Sequence, residues 1–389
     1  MKIAVIGARL AGAYAAWLLA GQGHEVLLLD HEPEREKPCG GGVTGKALRR
    51  MAWLRSAPLP HTEIRSLKLA TADGPAAALE LRDPIHIFSR STLDSFLRER
   101  AIRRGARFAA ERALAFEPLG AGWGIETEAS RLEVDLLVGA DGAGSAVRRA
   151  TAGAFAAADL SLALGFYLFG LYHQETAVAE FQESGFEGYL WSFPRVDHTS
   201  VGILRLLSSA RADDLRRRVS AFIAARYGEA SGEARFYAAR IPCLRPETLR
   251  RQRVCGRSWA LLGDAAGFAD AITAEGISFA LRSAELLAEA VARGSIESYE
   301  TAWRRDFGRD LARAAAWRDR FYGGRFAAGP FTRRALQMIA RSATVRRLTD
   351  RLVSGKLDYG GLRRRLVAQS PRIVLEALAR RRQARPRSS

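Results

Sequence analysis

The sequence predicts an α/β fold that joins a parallel sheet with flanking helices to an inserted antiparallel sheet and a helical C-terminal region. Two apolar runs, KIAVIG at residues 2–7 and LLVGA at residues 136–140, have the continuous hydrophobic pattern of buried parallel strands. Residues 161–250 change to alternating strands rich in aromatic residues, which favours an antiparallel sheet. The chain therefore combines two sheets of different kinds.

The first element consists of a strand, a glycine turn and a helix. Residues 1–7 are the predicted strand and residues 11–20 the helix that packs back on it, with Gly7 and Gly12 at the turn. Such a Rossmann-like turn directs helix amides at the pyrophosphate of a dinucleotide. The next predicted strand ends at Asp30, where this arrangement places a ribose-binding carboxylate. The segment predicts a cofactor whose adenosine has a free 2′-hydroxyl.

The glycine turn departs from the usual pattern at one residue. It reads GARLAG at residues 7–12, so Arg9 stands where a second glycine normally lets the backbone approach the pyrophosphate. We expect binding to be retained, because a guanidinium can swing outward and pair with a phosphate oxygen. The alternative is that the Arg9 side chain crowds the cofactor.

The remaining pattern divides the chain into three predicted regions. A discontinuous nucleotide-binding domain covers residues 1–160 and 251–300, with a small sheet insertion near residues 62–90. An antiparallel-sheet domain for the substrate covers residues 161–250, and a basic helical region covers residues 301–389. The supporting strands are expected at residues 64–81, 85–88, 106–110, 134–140 and 258–262, and the helices at residues 91–104, 212–227 and 276–293.

Composition describes a globular protein and argues against several other classes. The chain has 48% hydrophobic and 26% charged residues, and no apolar run approaches the roughly twenty residues that span a bilayer. Met1 leads directly into a core strand rather than a signal peptide, so a cytoplasmic location is expected. Three scattered cysteines and six histidines show no metal-ligand spacing, so no metal site is expected.

The excess of positive charge predicts an anionic partner. The formal net charge is +18 with a pI of about 10.7, and basic runs lie at residues 363–365 and 380–387. No nucleic-acid module or interleaved aromatic residues accompany them, so no nucleic acid is expected. The favoured hypothesis is peripheral contact with the inner face of an anionic membrane. The alternative is that abundant arginine reflects genome composition and forms a solvated surface.

Five segments, in this order, carry a more specific resemblance. They read KPCGGGV at residues 37–43, SRSTLD at 89–94, GYLWSFP at 188–194, GDAAG at 263–267 with ITAEGI at 272–277, and LVSGKLDY at 352–359. The set resembles FAD-dependent oxidoreductases of the p-hydroxybenzoate hydroxylase superfold, and within them the geranylgeranyl reductase family. The resemblance extends over nearly the whole chain.

The resemblance implies a cofactor, a reaction and a substrate class. It implies that FAD is bound and that reduced flavin transfers hydride to carbon–carbon double bonds of a polyprenyl, geranylgeranyl-type substrate. The implied partner is therefore an isoprenoid lipid. The electron donor stays open between NADPH and ferredoxin.

Several cofactor contacts have a competing structural explanation. Asp264 can lie near the ribityl or pyrophosphate oxygens, where its carboxylate accepts hydrogen bonds from hydroxyl groups, or cap the following helix. Gly276 and Ile277 can direct amides at the flavin pyrimidine ring, or simply begin a helix. Arg90 can reach a phosphate or ribose, or form a surface salt bridge, and Asp141 can contact FAD or belong to a structural turn. The full predicted set is Gly7, Ala11, Gly12, Asp30, Cys39, Gly40, Gly42, Arg90, Ala113, Asp141, Asp264, Gly276 and Ile277.

The candidate catalytic residues are Cys39, Tyr189 and Trp191. Glycines beside Cys39 let the backbone pass close to the isoalloxazine, although a buried, inert cysteine is the alternative. Tyr189, Trp191 and Phe193 share one strand face because their spacing has a period of two. The resemblance makes that face the wall of a substrate tunnel over the flavin, whereas ordinary core packing is the alternative. Tyr189 is also a candidate proton donor.

Two other functions stay open from the sequence. GYLWSFP also approximates a halogenase motif, so a flavin-dependent monooxygenase or halogenase on the same fold is the runner-up. Such halogenases need a catalytic lysine, and Lys68, on a predicted strand, lacks the expected context. A third hypothesis is a non-catalytic protein that has lost FAD through Arg9 and only binds a lipid or another protein.

Overall fold

The strands follow the apolar and alternating segments of the sequence. A computed structural model describes residues 1–72, 74–171, 175–228 and 233–383, with only the backbone of residues 380–383. In chain order the strands are β1 (Lys2–Ile6), β2 (Glu25–Leu29), β3 (Gly42–Val43), β4 (Thr62–Thr71), β5 (Ala76–Ile87), β6 (Arg107–Ala109), β7 (Ala113–Leu119), β8 (Gly122–Thr127), β9 (Arg131–Val134), β10 (Leu136–Gly139), β11 (Leu160–Phe169), β12 (Thr176–Phe181), β13 (Tyr189–Pro194), β14 (His198–Leu206), β15 (Ala234–Pro242), β16 (Trp259–Leu261), β17 (Arg325–Phe326) and β18 (Gly329–Pro330).

The helices connect these strands and make up most of the C-terminal region. They are α1 (Leu10–Gly21), α2 (Gly45–Arg50), α3 (Ala52–Ser56), α4 (Arg90–Arg103), α5 (Ala146–Thr151), α6 (Ala212–Tyr227), α7 (Pro246–Arg251), α8 (Ile277–Ala292), α9 (Ser298–Trp303), α10 (Arg309–Gly323), α11 (Phe331–Arg341), α12 (Ala343–Val353), α13 (Tyr359–Ala368) and α14 (Ser370–Gln383). Short 3₁₀ turns lie at Ala157–Asp159 and Gly263–Ala266, and a π-helical turn lies at Arg304–Gly308.

The first sheet is parallel and assembles segments that are far apart in the chain. Its five strands run in the order β16-β10-β1-β2-β6, and every neighbouring pair is parallel. Helix α1 packs beside α4 and α8 and contributes to the core of this sheet. The apolar sequences of β1, β2 and β10 are buried, as parallel strands covered by helices require. The predicted α/β fold class is confirmed.

The second sheet is larger than the sequence pattern suggested. Its eight strands run in the order β15-β11-β14-β13-β12-β4-β5-β3. Residues 62–90 were expected to form a small insertion in the nucleotide-binding domain, but β4 pairs in parallel with β12, from Thr176↔Ser66 to Phe181↔Thr71. The six-residue pairing places the insertion in the same sheet as the strands of residues 160–242. Long-range parallel pairing leaves no local sequence signal, which is why the prediction was wrong on this point.

Alternate residues of the second sheet face different surroundings. Leu164, Leu190 and Ile203 pack with α6 on one side, where Leu215 and Val219 complete a buried cluster. Residues at the alternate positions face a cavity on the other side. The period of two along each strand therefore separates the packing surface from the surface available to a ligand.

Three local features differ from the predicted elements. The expected strand at residues 134–140 is interrupted at Asp135, whose Oδ2 accepts a hydrogen bond from the backbone nitrogen of Lys2 at 2.7 Å. Strands β7, β8 and β9 form a separate three-stranded sheet, and β17 and β18 form a short hairpin within the C-terminal helices. In the described part of the chain, no helix combines the length and apolarity needed to cross a membrane.

Candidate functional site

A cavity of about 2160 Å³ connects the parallel sheet to the second sheet and the C-terminal helices. One part is lined by the β1–α1 turn, the loop before β3 and the segment at residues 262–280. The other part is lined by the alternate face of the second sheet and by residues of α11 to α14. The volume exceeds the roughly 300–1,000 Å³ of ordinary small-molecule pockets.

The glycine turn is sterically specified at both ends. Gly7 has φ +99°, and a Cβ there would lie 2.5 Å from the carbonyl oxygen of Ala140. A Cβ on Gly12 would lie 1.9 Å from the carbonyl oxygen of Gly7. Both positions therefore require glycine for the turn to close against β10. This close packing brings the N-terminus of α1 to the cavity, where its free amides suit a pyrophosphate.

Arg9 has backbone angles that any L-residue adopts and a side chain turned aside. It precedes α1 with φ −92° and ψ −170°. Its Nη2 lies 3.4 Å from the carbonyl oxygen of Glu32, to which it donates. The side chain thus extends toward the loop after β2, while remaining part of the cavity lining. The geometry matches the outward orientation and leaves the turn itself intact.

Asp30 holds the turn from the end of β2. Its Oδ2 accepts a hydrogen bond from the backbone nitrogen of Ala8 at 2.9 Å, and its Oδ1 accepts one from that of Glu32 at 2.9 Å. The side chain also lines the cavity. Each carboxylate oxygen has a second lone pair, so the ribose contact that we predict for Asp30 is compatible with these bonds.

The cysteine loop lies directly against the aromatic strand. A Cβ on Gly40 would come within 2.2 Å of the Phe193 ring, and Gly41 has φ +77° with the carbonyl oxygen of Phe88 close by. Cys39 is half-buried, lines the cavity, and its Sγ accepts a hydrogen bond from the backbone nitrogen of Gly41 at 3.3 Å. Glycine at these positions allows the loop to lie between the two sheets.

A fully buried arginine fixes this loop. Arg195 has no exposed surface, and its Nη1 donates to Glu36 Oε1 at 2.5 Å. Its Nη2 donates to the carbonyl oxygen of Cys39 at 2.6 Å. Glu36 in turn accepts hydrogen bonds from the backbone nitrogens of Arg90 and Ser91 at the start of α4, each 2.8 Å long. Burial tends to raise the pKa of the Glu36 carboxyl, but Arg195 and these amides hold it below its ordinary value.

Arg90 lies inside the protein rather than on its surface. It is 2% exposed, and its Nη2 donates to Asp94 Oδ1 at 3.0 Å. Burial opposes the charge, but the neighbouring carboxylate of Asp94 raises the pKa of the Arg90 guanidinium above its ordinary value. The alternative of a surface salt bridge is therefore wrong. Arg90 lines the cavity, so its cofactor contact stays a prediction.

The segment after β16 combines an ion pair with a helix start. Asp264 Oδ2 accepts a hydrogen bond from Lys37 Nζ at 2.8 Å, and its side chain caps no helix. Gly276 is the residue before α8, and Ile277 is its first residue. The N-terminus of α8 therefore faces the cavity beside Asp264, where its partial positive charge suits an electron-rich ring edge.

Three tyrosines tie the loop at residues 270–276 to the rest of the cavity wall. The hydroxyl of Tyr359 donates to Asp270 Oδ2 at 2.9 Å, and that of Tyr322 donates to the carbonyl oxygen of Ile272 at 2.6 Å. Tyr189 donates to the carbonyl oxygen of Thr273 at 2.5 Å. These bonds come from α13, α10 and β13, so the loop is fixed by both the second sheet and the C-terminal helices.

The structure places the three aromatic side chains of β13 on the cavity face. Tyr189, Trp191 and Phe193 all line the cavity, and the first two rings are 6.2 Å apart. Trp191 is 4% exposed, so it also packs in the sheet core. Burial raises the pKa of Tyr189 above its ordinary value, and its proton is directed at Thr273. These contacts suit positioning of the loop, and the role of proton donor stays a prediction.

The remaining predicted residues also reach the cavity. Asp141 uses its Oδ2 to accept from the backbone nitrogen of Ala146 at 2.7 Å, so it fixes the start of α5 as the structural alternative expects. Its contact with the cofactor stays a prediction. Space around the backbone at Gly142 and Gly144 is open. Gly142, Gly144 and the turn at residues 7–12 together form a cradle, and its open space and free amides fit FAD. The predicted set Ala11, Gly40, Gly42 and Ala113 lies on the cavity lining as well.

Sequence reasoning missed the residues that hold the site together. Glu36 directly precedes KPCGGGV, Arg195 directly follows GYLWSFP, and Tyr359 ends LVSGKLDY. Glu36 and Arg195 adjoin these segments and Tyr359 lies within one, and that proximity was the available signal. Their partners lie far along the chain, so spacing gave no indication of the contacts.

Comparison with known proteins finds one family match and several similar proteins and structures. The FAD binding domain family matches residues 1–193. Digeranylgeranylglycerophospholipid reductase 2 of Methanothermobacter thermautotrophicus is 29% identical over 346 residues, 81% of this chain and 86% of that protein. Geranylgeranyl diphosphate reductase of Synechocystis is 29% identical over 322 residues, 75% of each chain. The solved structure of a geranylgeranyl bacteriochlorophyll reductase-like protein of Thermoplasma acidophilum has a TM-score of 0.75 at 19% identity and covers 96% of this chain and 98% of that one.

Substitutions in the glycine turn test how the turn accepts FAD. Gly12→Val should abolish FAD binding, because its Cβ would overlap the carbonyl oxygen of Gly7. Arg9→Gly should leave FAD affinity within about tenfold, or about 1.4 kcal/mol, of the wild type, since the Arg9 side chain is turned toward Glu32. Flavin fluorescence titration measures both, with circular dichroism as the folding control. A gain of more than about tenfold in Arg9→Gly would show that Arg9 obstructs the site.

Glu36→Gln should destabilise the protein in a pH-dependent way. The native pKa of Glu36 is lowered, so its charged form favours the folded state at pH values above the unfolded pKa of about 4.3. We expect a loss of about 1–3 kcal/mol in the free energy of unfolding at pH 7, which diminishes as pH falls through the native pKa. Urea denaturation at several pH values measures it. Glu99→Gln, at an exposed site, is the control, and an equal loss there would contradict the account.

Proposed function

We propose that this FAD-dependent oxidoreductase reduces carbon–carbon double bonds of a polyprenyl chain, as its similarity to geranylgeranyl reductases suggests. One observation carries the proposal: the cradle that fits FAD continues without interruption into an apolar cavity under the second sheet. A hydrocarbon chain is the ligand that such walls favour, since it needs no polar partners. The named relatives that act on geranylgeranyl groups support this substrate class.

The two ends of the cavity have different roles in the proposed reaction. FAD bound in this site would, once reduced by an electron donor, supply a two-electron hydride equivalent. The Cys39 loop and the aromatic face of β13 lie at the junction, where they orient a double bond and exclude water. We assign Cys39 and Trp191 to this alkene contact, and Phe193 to the tunnel wall. Tyr189 donates a hydrogen bond to the loop at residues 270–276 and is the candidate for supplying a proton.

The tunnel is wide because small side chains occupy alternate positions of the second sheet. Ala163, Ala177 and Ala179 project into the cavity from β11 and β12, opposite residues of the C-terminal helices such as Leu336 and Ile339. A larger residue at these positions would fill space that the substrate needs. The proposal therefore assigns residues 161–250, together with β4 and β5, to substrate binding, the rest of residues 1–160 and residues 251–300 to FAD, and the C-terminal helices α10 to α14 to the tunnel cover.

The far end of the tunnel has the character of a membrane-facing opening. Val367 and Val374 line the cavity and are nevertheless 69% and 53% exposed. Exposed Arg363, Arg364 and Arg365 lie on the same helix as Val367. Apolar residues beside cations suit the surface of an anionic membrane. Peripheral attachment at the inner face of the membrane, in a cytoplasmic protein, is part of the proposal, and the basic side chains at residues 380–387 lie outside the described residues. NADPH and ferredoxin are the two candidate electron donors.

The halogenase alternative lacks its lysine at the predicted position. Leu67 and Leu69 line the cavity, whereas Lys68 between them is exposed and lies on the opposite face of β4. A strand alternates its side chains, so Lys68 cannot enter the cavity without a change of register. Exposing the reduced enzyme to air and recording the flavin spectrum distinguishes the two functions. A monooxygenase or halogenase accumulates a flavin hydroperoxide, and a reductase does not.

Blocking the tunnel tests the proposed function. Ala179→Phe should lower kcat/KM for a geranylgeranyl substrate by about tenfold or more, equivalent to about 1.4 kcal/mol, without loss of FAD. The assay follows the gain of two hydrogens per reduced bond by mass spectrometry, with dithionite-reduced enzyme under argon. Ala234→Phe, at an exposed position of β15, is the control. No product from wild-type enzyme with any polyprenyl substrate, or equal kinetics of Ala179→Phe and the wild type, would contradict the proposal.

A further inference from the structure

Two histidines and a glutamate meet on the face of the β4–β5 hairpin that turns away from the cavity. His61 precedes β4, Glu63 lies in β4, and His86 lies opposite Glu63 in β5. One ligand atom from each residue lies within 4.8 Å of the others. None of the three lines the cavity, so the cluster is separate from the site described above.

The backbone places the three side chains together. Glu63 and His86 are a directly opposed pair in an antiparallel ladder, so their side chains project on the same face. His61 is two residues before Glu63 and lies on that face as well. The two imidazole rings stack with centroids 4.3 Å apart and planes within 10°. Strand pairing, and not sequence spacing, thus assembles the cluster, so the spacing of histidines along the chain shows no metal-ligand pattern.

Hydrogen bonds leave one ligand atom of each residue available. His61 Nδ1 lies 2.9 Å from the carbonyl oxygen of Leu59, to which it can only donate, so the lone pair is on Nε2. Glu63 Oε2 accepts from Arg65 Nη2 at 2.7 Å, and its Oε1 lies 3.7 Å from His86 Nε2. A carbonyl acceptor on the second ring nitrogen is the usual way in which a metal-binding histidine is oriented.

The chemical types of the three side chains also suit a cation. Arg55 and Arg65 also face the cluster, and the carboxylate of Glu63 offsets part of their charge. Two imidazoles and one carboxylate form a donor set that prefers Zn²⁺ and similar divalent transition metals over Ca²⁺ or Mg²⁺.

We propose that His61, Glu63 and His86 form a binding site for a divalent transition metal, with Zn²⁺ as the representative ion. Tetrahedral zinc with bonds of about 2.0–2.2 Å needs ligand atoms about 3.3–3.5 Å apart. The 3.7 Å between Glu63 Oε1 and His86 Nε2 is close to this spacing, and rotation of the partly exposed Glu63 and His61 side chains closes the rest. The bound ion joins the segment before β4 to β5, and water occupies the fourth position.

Zinc retention by the FAD-containing protein tests the site. The purified protein is dialysed to equilibrium against ZnCl₂, and zinc per chain is measured by elemental analysis. The wild type should retain one equivalent, and His61→Ala and His86→Ala should each weaken binding by about tenfold or more, as loss of even an orienting contact can do. His24→Ala is the matched control, because His24 is a partly exposed histidine outside the cluster. An unchanged flavin spectrum shows that each variant is folded.

A more conservative variant controls for the possibility that the alanine variants lose their structure. Glu63→Gln keeps the size of an exposed side chain, and it should also weaken zinc binding while the flavin spectrum is unchanged. Zinc should raise the melting temperature of the wild type and of His24→Ala, but not of His86→Ala, because a ligand stabilises only the state that binds it. Failure of the wild type to retain zinc, or equal retention by the His61, Glu63 and His86 variants, would overturn the proposal.

Discussion

The buried guanidinium of Arg195 is the interaction on which the arrangement of the site depends. It follows β13 of the second sheet and bonds to Glu36 and to the carbonyl oxygen of Cys39, both in the loop that leaves the parallel sheet. A charge without exposed surface is stable only when it is paired, because an unpaired charge inside a protein is strongly destabilising. The two sheets therefore have one relative position in which this charge is satisfied. That position sets Gly40 against Phe193 and the cysteine loop beside the FAD cradle.

The cavity follows from this constraint and from strand alternation. Since one face of the second sheet packs on α6, the opposite residues are left to line a space between the sheet and the C-terminal helices. The loop at residues 270–276 closes the FAD end, and Tyr189, Tyr322 and Tyr359 bond to it from three different elements. The cofactor end and the apolar part are thus portions of one enclosure. Under the proposed function, this enclosure would orient a hydrocarbon substrate by shape, because a hydrocarbon offers no polar group to hold.

The sequence predicted what local pattern determines. The apolar runs of β1 and β10 indicated the parallel sheet, and the periodicity of α6 gave its bounds as residues 212–227. The glycine turn, the cysteine loop and the face of β13 also line one cavity, although their individual roles stay predictions. The sequence did not reveal the parallel pairing of β12 with β4, the Arg195–Glu36 bond or the meeting of His61 with His86. Each of these depends on residues distant along the chain that only the folded topology brings together.

A single-turnover experiment addresses the central claim, that reduced flavin and a polyprenyl double bond meet in one closed cavity. Enzyme with fully reduced FAD is mixed with a geranylgeranyl substrate in the strict absence of oxygen and electron donor, and flavin absorbance is followed with time. The account predicts that the oxidised flavin spectrum returns only when substrate is present, with two hydrogens gained by the substrate per flavin oxidised. Reduced flavin that persists with every polyprenyl substrate, and reoxidises only on admission of oxygen with an oxygenated product, would contradict it.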